Sequence, residues 1–251
     1  MKELVRKAFG TLGYEVKRAK QNVEGYDNHL NAFLYQRKLL GELGRNPLIL
    51  DVGAYHGQTV RLYKEQFPNA IIHAFEPFAE SLEIAKRATA DLNNIHFHGV
   101  ALGKNSGISS FNLLTHTPAS SLLELDKSAG EAWGKGLLEN ASTIEVEIIT
   151  LNDFVKNNQL KHIDILKLDT QGLEYEILSA SSELLASKKI SMVYAEIITM
   201  PTYKNQKGLE EYLKLFKDCG FELFNFFNSS TRNGKLRQVD ALFFHPQLIN
   251  I

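Results

Sequence analysis

The sequence predicts an α/β protein built on an open, mostly parallel sheet. Two strand–turn–helix–strand units, residues 48–77 and 163–197, carry this prediction, and each has glycine in its turn. Their strands are short apolar runs that end in acidic residues, a pattern typical of buried parallel strands whose carboxyl ends form a ligand site. Two apolar runs, 221–227 and 239–246, flank Asn233-Gly234 and predict an antiparallel hairpin at the C-terminus.

Length and composition limit the classes of protein that fit. The 251 residues suit one α/β domain, residues 47–251, after an extension of residues 1–46. A net charge of -1 gives no electrostatic basis for binding nucleic acid or an anionic membrane, and no apolar run is long enough to span one. The single cysteine, Cys219, and the absence of a signal-peptide core predict a cytoplasmic location. Composition makes no prediction about oligomeric state.

The N-terminal extension, residues 1–46, is predicted to be helical. Apolar residues recur at helical spacing over residues 4–12 and again over residues 27–43. The sequence does not separate two interpretations of the second helix. It packs on the core as an ordinary amphipathic helix, or it forms a lid over the carboxyl edge of the sheet.

The turn after the first strand indicates which ligand the site takes. Gly53-x-x-x-Gly57 lacks the G-x-G-x-x-G spacing of a dinucleotide fingerprint, and Asp51 would repel a diphosphate at the following helix. The same carboxylate would attract an ammonium or sulfonium group. Glu76 ends the second strand at the spacing of an acid that hydrogen-bonds ribose hydroxyls. S-adenosylmethionine combines a ribose and a positive charge without phosphate, and it is the predicted cofactor.

The segment between the two units is predicted to add walls to this site. Ala101 and Leu102 end a third strand, residues 95–102, and form either an adenine pocket or simply core. Residues 108–114 and 144–151 have strand composition and form a pair at the sheet edge or a flap. The long loop 115–143 between them is the candidate acceptor loop, with Ser121 as a substrate contact.

The second unit supplies the candidate catalytic residues. Asp169 and Glu196 end neighbouring strands, where a carboxylate can take a proton from an acceptor hydroxyl or hold a divalent cation. The structural alternative is that these acids cap helices or pair with Lys167. Gln171 and Glu174 follow at the predicted mouth of the pocket. The sequence contains no spacing that identifies a metal site, although such a carboxylate pair is compatible with one.

Five stretches, in the same order, resemble the FkbM family of S-adenosylmethionine-dependent methyltransferases. They are LDVGAYHGQTV, AFEP, ITLNDF, IDILKLDTQGLEYEIL and VDALFF. The family commonly has Asn where this chain has Tyr55 and Glu where it has Gln171. The resemblance implies a Rossmann-like class I methyltransferase sheet of seven strands. It implies cofactor contacts in the first two motifs, at Asp51, Gly53, Ala54, Tyr55, Gly57, Glu76 and Pro77, with Asp169 close to the cofactor as well.

The activity that the resemblance implies is O-methylation of a hydroxyl on a small-molecule natural product, a sugar or a glycan. Asp51 would orient the methionine amino group and Glu76 the ribose, while Asp169 and Glu196 would act at the acceptor. Two alternatives remain open at this point. One is a nicotinamide-dependent oxidoreductase on a similar sheet, and the other is a protein that binds S-adenosylmethionine without catalysis.

Overall fold

The computed structural model describes residues 29–41, 46–134 and 138–249, with side chains from Ala32 onward. The predicted helix at residues 4–12 lies outside the described residues. The helices are α1 (His29–Leu40), α2 (Gln58–Gln66), α3 (Ala79–Ala88), α4 (Ala129–Trp133), α5 (Leu151–Asn157), α6 (Glu174–Ala180), α7 (Ser182–Ala186) and α8 (Leu209–Asp218), with a 3-10 turn at Thr117–Ala119.

The strands form two sheets. They are β1 (Leu48–Val52), β2 (Ile71–Phe75), β3 (Ile95–His98), β4 (Ala101–Leu102), β5 (Gly107–Leu114), β6 (Asn140–Ile149), β7 (Ile163–Leu168), β8 (Ile190–Ile198), β9 (Glu222–Arg232) and β10 (Lys235–Phe244). Within the described residues, the larger sheet has the order β3-β2-β1-β7-β8-β10-β9. All neighbours from β3 to β8 pair in parallel, and β10 runs antiparallel to β8 and β9.

The predicted fold class is therefore confirmed: an α/β protein with a seven-stranded, mostly parallel sheet and an antiparallel C-terminal hairpin. Alternate residues of β1 face two hydrophobic layers, one on each side of the sheet. Leu50 and Val52 pack with α5, α6 and α8, whereas Ile49 packs with α1 and α2. Burial on both faces explains why the central strands are apolar runs rather than alternating patterns.

The middle segment forms a separate sheet, so the flap interpretation is the one the structure supports. β5 pairs antiparallel with β6, and β6 pairs in parallel with the short strand β4. The prediction of one continuous strand over residues 95–102 was wrong. The run breaks at Gly99-Val100, after which β4 leaves the larger sheet for the smaller one. The smaller sheet stands against the carboxyl edge of the larger one.

Helix α1 packs on the core of the domain. Ala32, Phe33 and Leu40 are buried against α2 and the adjacent face of the sheet, and the Phe33 ring lies 4.9 Å from that of Tyr63. For this helix the core interpretation fits, whereas a lid role for the rest of the extension stays a prediction. Among the described residues, no helix combines the length and hydrophobicity needed to cross a bilayer.

Gly53 provides a test of how tightly the turn after β1 packs against the turn after β7. Its φ is +80°, and a Cβ added there would lie 1.9 Å from the backbone oxygen of Asp169. We expect Gly53→Ala to lower the free energy of unfolding by about 3 kcal/mol or more, because it adds a backbone clash to the cost of a positive φ. Urea denaturation measures this loss.

The matched control for this substitution is Gly234→Ala in the C-terminal hairpin. Gly234 has a φ of +76°, but nothing lies within 4 Å of an added Cβ. Only the conformational cost of about 1–2 kcal/mol should remain there. Equal losses in the two variants would contradict the tight contact between the turns.

Candidate active site

A cavity of about 200 Å³ opens at the carboxyl ends of β1, β2 and β7. This is the edge at which ligands bind in open α/β sheets. Five residues of the first two motifs line it, as the sequence predicted: Gly53, Ala54, Tyr55, Glu76 and Pro77. Because β2 and β7 flank β1 in the sheet, the cavity lies over the glycine turn, between the ends of both neighbouring strands.

The backbone N–H groups of the glycine turn are already engaged. Gly53 N and Ala54 N both donate to the Phe75 carbonyl oxygen, at 3.0 and 2.9 Å. Tyr55 N donates to Glu76 Oε2 at 3.0 Å. A dinucleotide site needs such N–H groups for its pyrophosphate, so this turn is built for a ligand without one.

Glu76 connects the ends of β1 and β2 and presents a carboxyl group to the cavity. Its Oε1 accepts a hydrogen bond from Phe78 N at 2.9 Å, while its Oε2 accepts the one from Tyr55 N. Burial raises the pKa of Glu76 to about 7, although both backbone donors act in the opposite direction. The remaining lone pairs of the two oxygens can accept ribose hydroxyls.

Asp51 does not line the cavity, contrary to the sequence-based prediction. It is fully buried beneath the turn, and its Oδ1 lies 2.9 Å from Nζ of Lys167, its register partner on β7. Lys167 Nζ also donates to the Gly53 carbonyl oxygen at 2.8 Å. Strand periodicity explains the error: Asp51 faces the same buried layer as Ile49, so its charge is compensated inside the protein.

These two buried charges act on each other. Burial raises the pKa of Asp51, and Lys167 opposes that effect. Burial lowers the pKa of Lys167, but Asp51 and Asp169 outweigh it, and the pKa is raised overall. Lys167 therefore stays charged at neutral pH.

Gly57, another predicted cofactor contact, is also outside the cavity lining. It precedes α2, and its N–H donates to the Ala54 carbonyl oxygen.

The smaller sheet, which packs against Phe78 after β2, forms a further wall of the cavity. Ala101 and Leu102 of β4 line it, and their role as an adenine pocket stays a prediction. Phe78 and Phe111 also line it, and the sequence analysis did not identify them. Phe78 follows the acid-ended motif directly, whereas Phe111 lies in a strand whose composition gave no sign of which face meets the ligand.

Asp169 and Gln171 line the cavity beside the glycine turn. The Asp169 side chain is 42% exposed, and one of its oxygens lies 3.8 Å from Lys167 Nζ. Gln171 has a φ of +56°, and its Nε2 donates to Asp169 Oδ1 at 2.8 Å. Asp169 is thus a carboxylate held in place on one side and open to the cavity on the other.

Glu196 and Glu174 lie behind this pair rather than in the cavity lining, so the predicted direct contacts are not supported. Glu196 is 8% exposed and accepts hydrogen bonds from Nε2 of Gln171 and of Gln238, both at 2.8 Å. Glu174 is fully buried and accepts from the backbone N–H groups of Thr170 and Gly172. Burial raises the pKa of both acids, in Glu174 to about 7.

The carboxylate oxygens of Asp169, Glu174 and Glu196 come within 4.8 Å of one another. Such proximity suits a cation in principle. In this structure, however, both Glu174 oxygens accept backbone N–H groups, and the Gln171 amide stands between the other two acids.

Ser121, the predicted substrate contact, is buried and outside the cavity lining. Its hydroxyl donates to the Gln171 carbonyl oxygen at 2.8 Å and accepts from Leu123 N. Its neighbour Ser120 lines the cavity instead, together with Thr117, whose hydroxyl lies 3.0 Å from that of Tyr55. The predicted acceptor loop therefore reaches the site, but through the residue next to the predicted one.

This sheet, with its glycine turn and acid-ended strands, has the class I methyltransferase fold. The solved METTL16 MTase domain has a similar fold, with a TM-score of 0.50 at 13% sequence identity, covering 96% of this chain and 75% of that one. The model for the methyltransferase FkbM domain matches residues 51–223. The chain belongs to the FkbM methyltransferase family, which confirms the resemblance seen in the sequence.

Two curated methyltransferases are similar to this chain in sequence. The chain is 24% identical over 214 residues to the 2-O-methyltransferase NoeI of Sinorhizobium fredii (strain NBRC 101917 / NGR234), covering 82% of this chain and 86% of that protein. It is 28% identical over 165 residues to methyltransferase sdnD of Sordaria araneosa, covering 57% and 64% of the two chains. The family supports S-adenosylmethionine as the predicted cofactor.

Removing Lys167 should show how much the glycine turn depends on the buried ion pair. We expect Lys167→Met to lower the free energy of unfolding by about 3–5 kcal/mol, because it leaves the Asp51 carboxylate buried without a partner. The double variant Asp51→Asn/Lys167→Met should be more stable than Lys167→Met alone, since the uncompensated charge is gone. Urea denaturation at pH 7 compares the variants.

The control is Lys214→Met, which breaks an exposed pair with Asp218 on α8. Its unfolding midpoint should stay that of the wild type, because exposed ion pairs contribute little. A similarly small effect at Lys167 would contradict the structural role of the buried pair.

Proposed function

We propose that this protein transfers a methyl group from S-adenosylmethionine to a hydroxyl oxygen of a small-molecule or glycan acceptor. The observation that carries the proposal is the presence of two carboxyl groups, Glu76 and Asp169, in one cavity over a glycine turn. Glu76 suits a ribose, and Asp169 suits the proton of an acceptor hydroxyl. Membership of the FkbM family supports methyl transfer.

The residues around Glu76 fit the cofactor. Its carboxylate would accept ribose hydroxyls, while Ala101 and Leu102 offer an apolar wall to the adenine ring. S-adenosylmethionine supplies an electrophilic methyl group on a sulfonium sulfur, and the C–S bond breaks with its electron pair going to sulfur. Because Lys167 neutralises Asp51, attraction of the sulfonium charge would come from the exposed acid Asp169 rather than from Asp51.

Asp169 has the contacts expected of a general base. Gln171 donates to its Oδ1, and Oδ2, which lies 3.8 Å from Lys167 Nζ, would take the proton of the acceptor hydroxyl as the new oxygen–carbon bond forms. Glu196 would act through Gln171 as a positioning residue. The reaction needs no covalent enzyme intermediate, so alignment of acceptor and methyl group supplies much of the rate enhancement.

The nature of the acceptor is supported by two observations. Tyr55, Thr117 and Ser120 line the cavity, and a hydroxyl group can both donate to and accept from a polyhydroxylated molecule. The relative NoeI is named as a 2-O-methyltransferase, which favours oxygen as the methylated atom.

The two alternatives make different predictions for ligand binding. A nicotinamide-dependent oxidoreductase is disfavoured, because the N–H groups of Gly53, Ala54 and Tyr55 are all engaged within the protein. A non-catalytic binding protein would bind S-adenosylhomocysteine but never produce it. Calorimetric titration with S-adenosylhomocysteine and with NADH, followed by a screen of sugar and glycan acceptors for S-adenosylhomocysteine formation, distinguishes the three. Binding of NADH alone would contradict the proposal.

Asp169→Asn should separate catalysis from binding. The amide retains the oxygen that accepts from Gln171 but cannot take a proton, so we expect kcat to fall roughly 100-fold or more. Affinity for S-adenosylhomocysteine, measured by calorimetry, should change little.

Asp91→Asn is the matched control, because Asp91 is exposed and pairs with Arg61 away from the cavity. It should leave kcat unchanged. If Asp169→Asn retained full turnover, the general-base assignment would be wrong.

A further inference from the structure

We propose that Gln171 is a positioning residue whose amide bridges Asp169 and Glu196 at the place where a divalent cation would otherwise bridge them. Its Nε2 lies 2.8 Å from Asp169 Oδ1 and 2.8 Å from Glu196 Oε2. One side-chain amide nitrogen carries two hydrogens, so both bonds form at once. The neutral Gln171 amide therefore joins the two acids and adds no charge to the site.

The environment fixes which end of the amide faces the acids. If the amide were reversed, its oxygen would face two carboxyl groups and both hydrogen bonds would be lost. The Oε1 atom instead accepts from the Tyr203 hydroxyl at 3.3 Å, and this hydroxyl shares its proton with the closer Ala119 carbonyl oxygen at 2.6 Å. Gln238 holds the other Glu196 oxygen from the opposite side.

The backbone of Gln171 is fixed as firmly as its side chain. Its positive φ is unusual for a residue other than glycine and has a conformational cost. The buried Ser121 hydroxyl donates to its carbonyl oxygen, and the Glu174 carboxylate accepts the N–H groups of Thr170 and Gly172 on either side. Each of these groups favours one position for the amide, between the two acids.

Charge explains why an amide suits this position. Asp169, Glu174 and Glu196 already place three carboxyl groups within 4.8 Å, and Lys167 is the ammonium group beside Asp169. A fourth carboxylate at residue 171 would add negative charge with no donor between the acids, and a cation would then be needed to hold them together. The catalytic consequence, an Asp169 carboxylate held toward the acceptor, rests on the proposed function, whereas the bridge itself does not.

Manganese binding tests the bridge without an acceptor. We expect Gln171→Glu to bind one Mn²⁺ per chain roughly tenfold or more tightly than the wild type, because a carboxylate replaces the amide between two acids. Adding Asp169→Asn to Gln171→Glu should abolish the gain. Isothermal titration with MnCl₂ measures affinity, and the thermal unfolding midpoint of Gln171→Glu should rise with Mn²⁺.

Gln171→Met is the matched control, since it keeps the length of the side chain but has neither donors nor charge. It should show no such gain. A merely structural role for Gln171 predicts lower stability in both variants and no new Mn²⁺ site in either.

Two results would overturn the inference. One is a wild-type Mn²⁺ site that disappears in Asp169→Asn, which would show that a cation bridges the acids; this comparison decides the matter even where Gln171→Glu does not fold. The other is a folded Gln171→Glu variant that gains no Mn²⁺ affinity. Failure of the proposed function is distinguishable, because it appears as absent S-adenosylhomocysteine binding in the wild type whatever the Mn²⁺ result.

Discussion

The ion pair between Lys167 and Asp51 is the interaction on which the active-site edge depends. It joins register partners on two central parallel strands, and Lys167 also holds the carbonyl oxygen of Gly53. Both charges are buried, so each needs the other. The pair fixes the turn after β1 against the end of β7, where Asp169 follows. The position of Asp169, the proposed base, relative to the proposed cofactor site thus depends on the Lys167–Asp51 pair, which lies outside the cavity lining.

The carboxyl groups at this edge differ in burial and in hydrogen-bond partners, and these differences decide which of them can contact a ligand. Asp51 is neutralised by the buried Lys167, Glu76 accepts two backbone N–H groups, and Asp169 is open to the cavity. Glu174 and Glu196 accept hydrogen bonds from the turn and from the Gln171 amide, and they do not line the cavity. A cluster of acids at strand ends is therefore not a set of equivalent catalytic candidates, because hydrogen-bond partners and burial decide which one can meet a substrate.

The order of elements, the parallel sheet and the hairpin were predictable because burial periodicity and Asn-Gly turns are local signals. Positions along a strand also indicated that Glu76 and Asp169 end at the ligand edge. The direction in which a side chain faces was harder to predict. Strand alternation turns the Asp51 side chain inward, and its charge is compensated by Lys167, 116 positions later in the chain. Ser121, predicted to contact the substrate, is buried, and Ser120 lines the cavity in its place. Both depend on register between distant segments, which one sequence does not specify.

Calorimetric titration of S-adenosylhomocysteine on either side of pH 7, into wild type and Glu76→Gln, tests the central claim most directly. Since burial raises the pKa of Glu76 to about 7, its carboxylate predominates only above that pH. Wild-type affinity should fall about tenfold one pH unit below 7 and recover above it. Glu76→Gln should bind weakly at every pH, because its amide oxygen can accept from only one of the N–H groups of Tyr55 and Phe78 and its amide nitrogen from neither. The exposed Glu80→Gln should match the wild type. Tight, pH-independent binding to Glu76→Gln would contradict the assignment of this cavity to the cofactor.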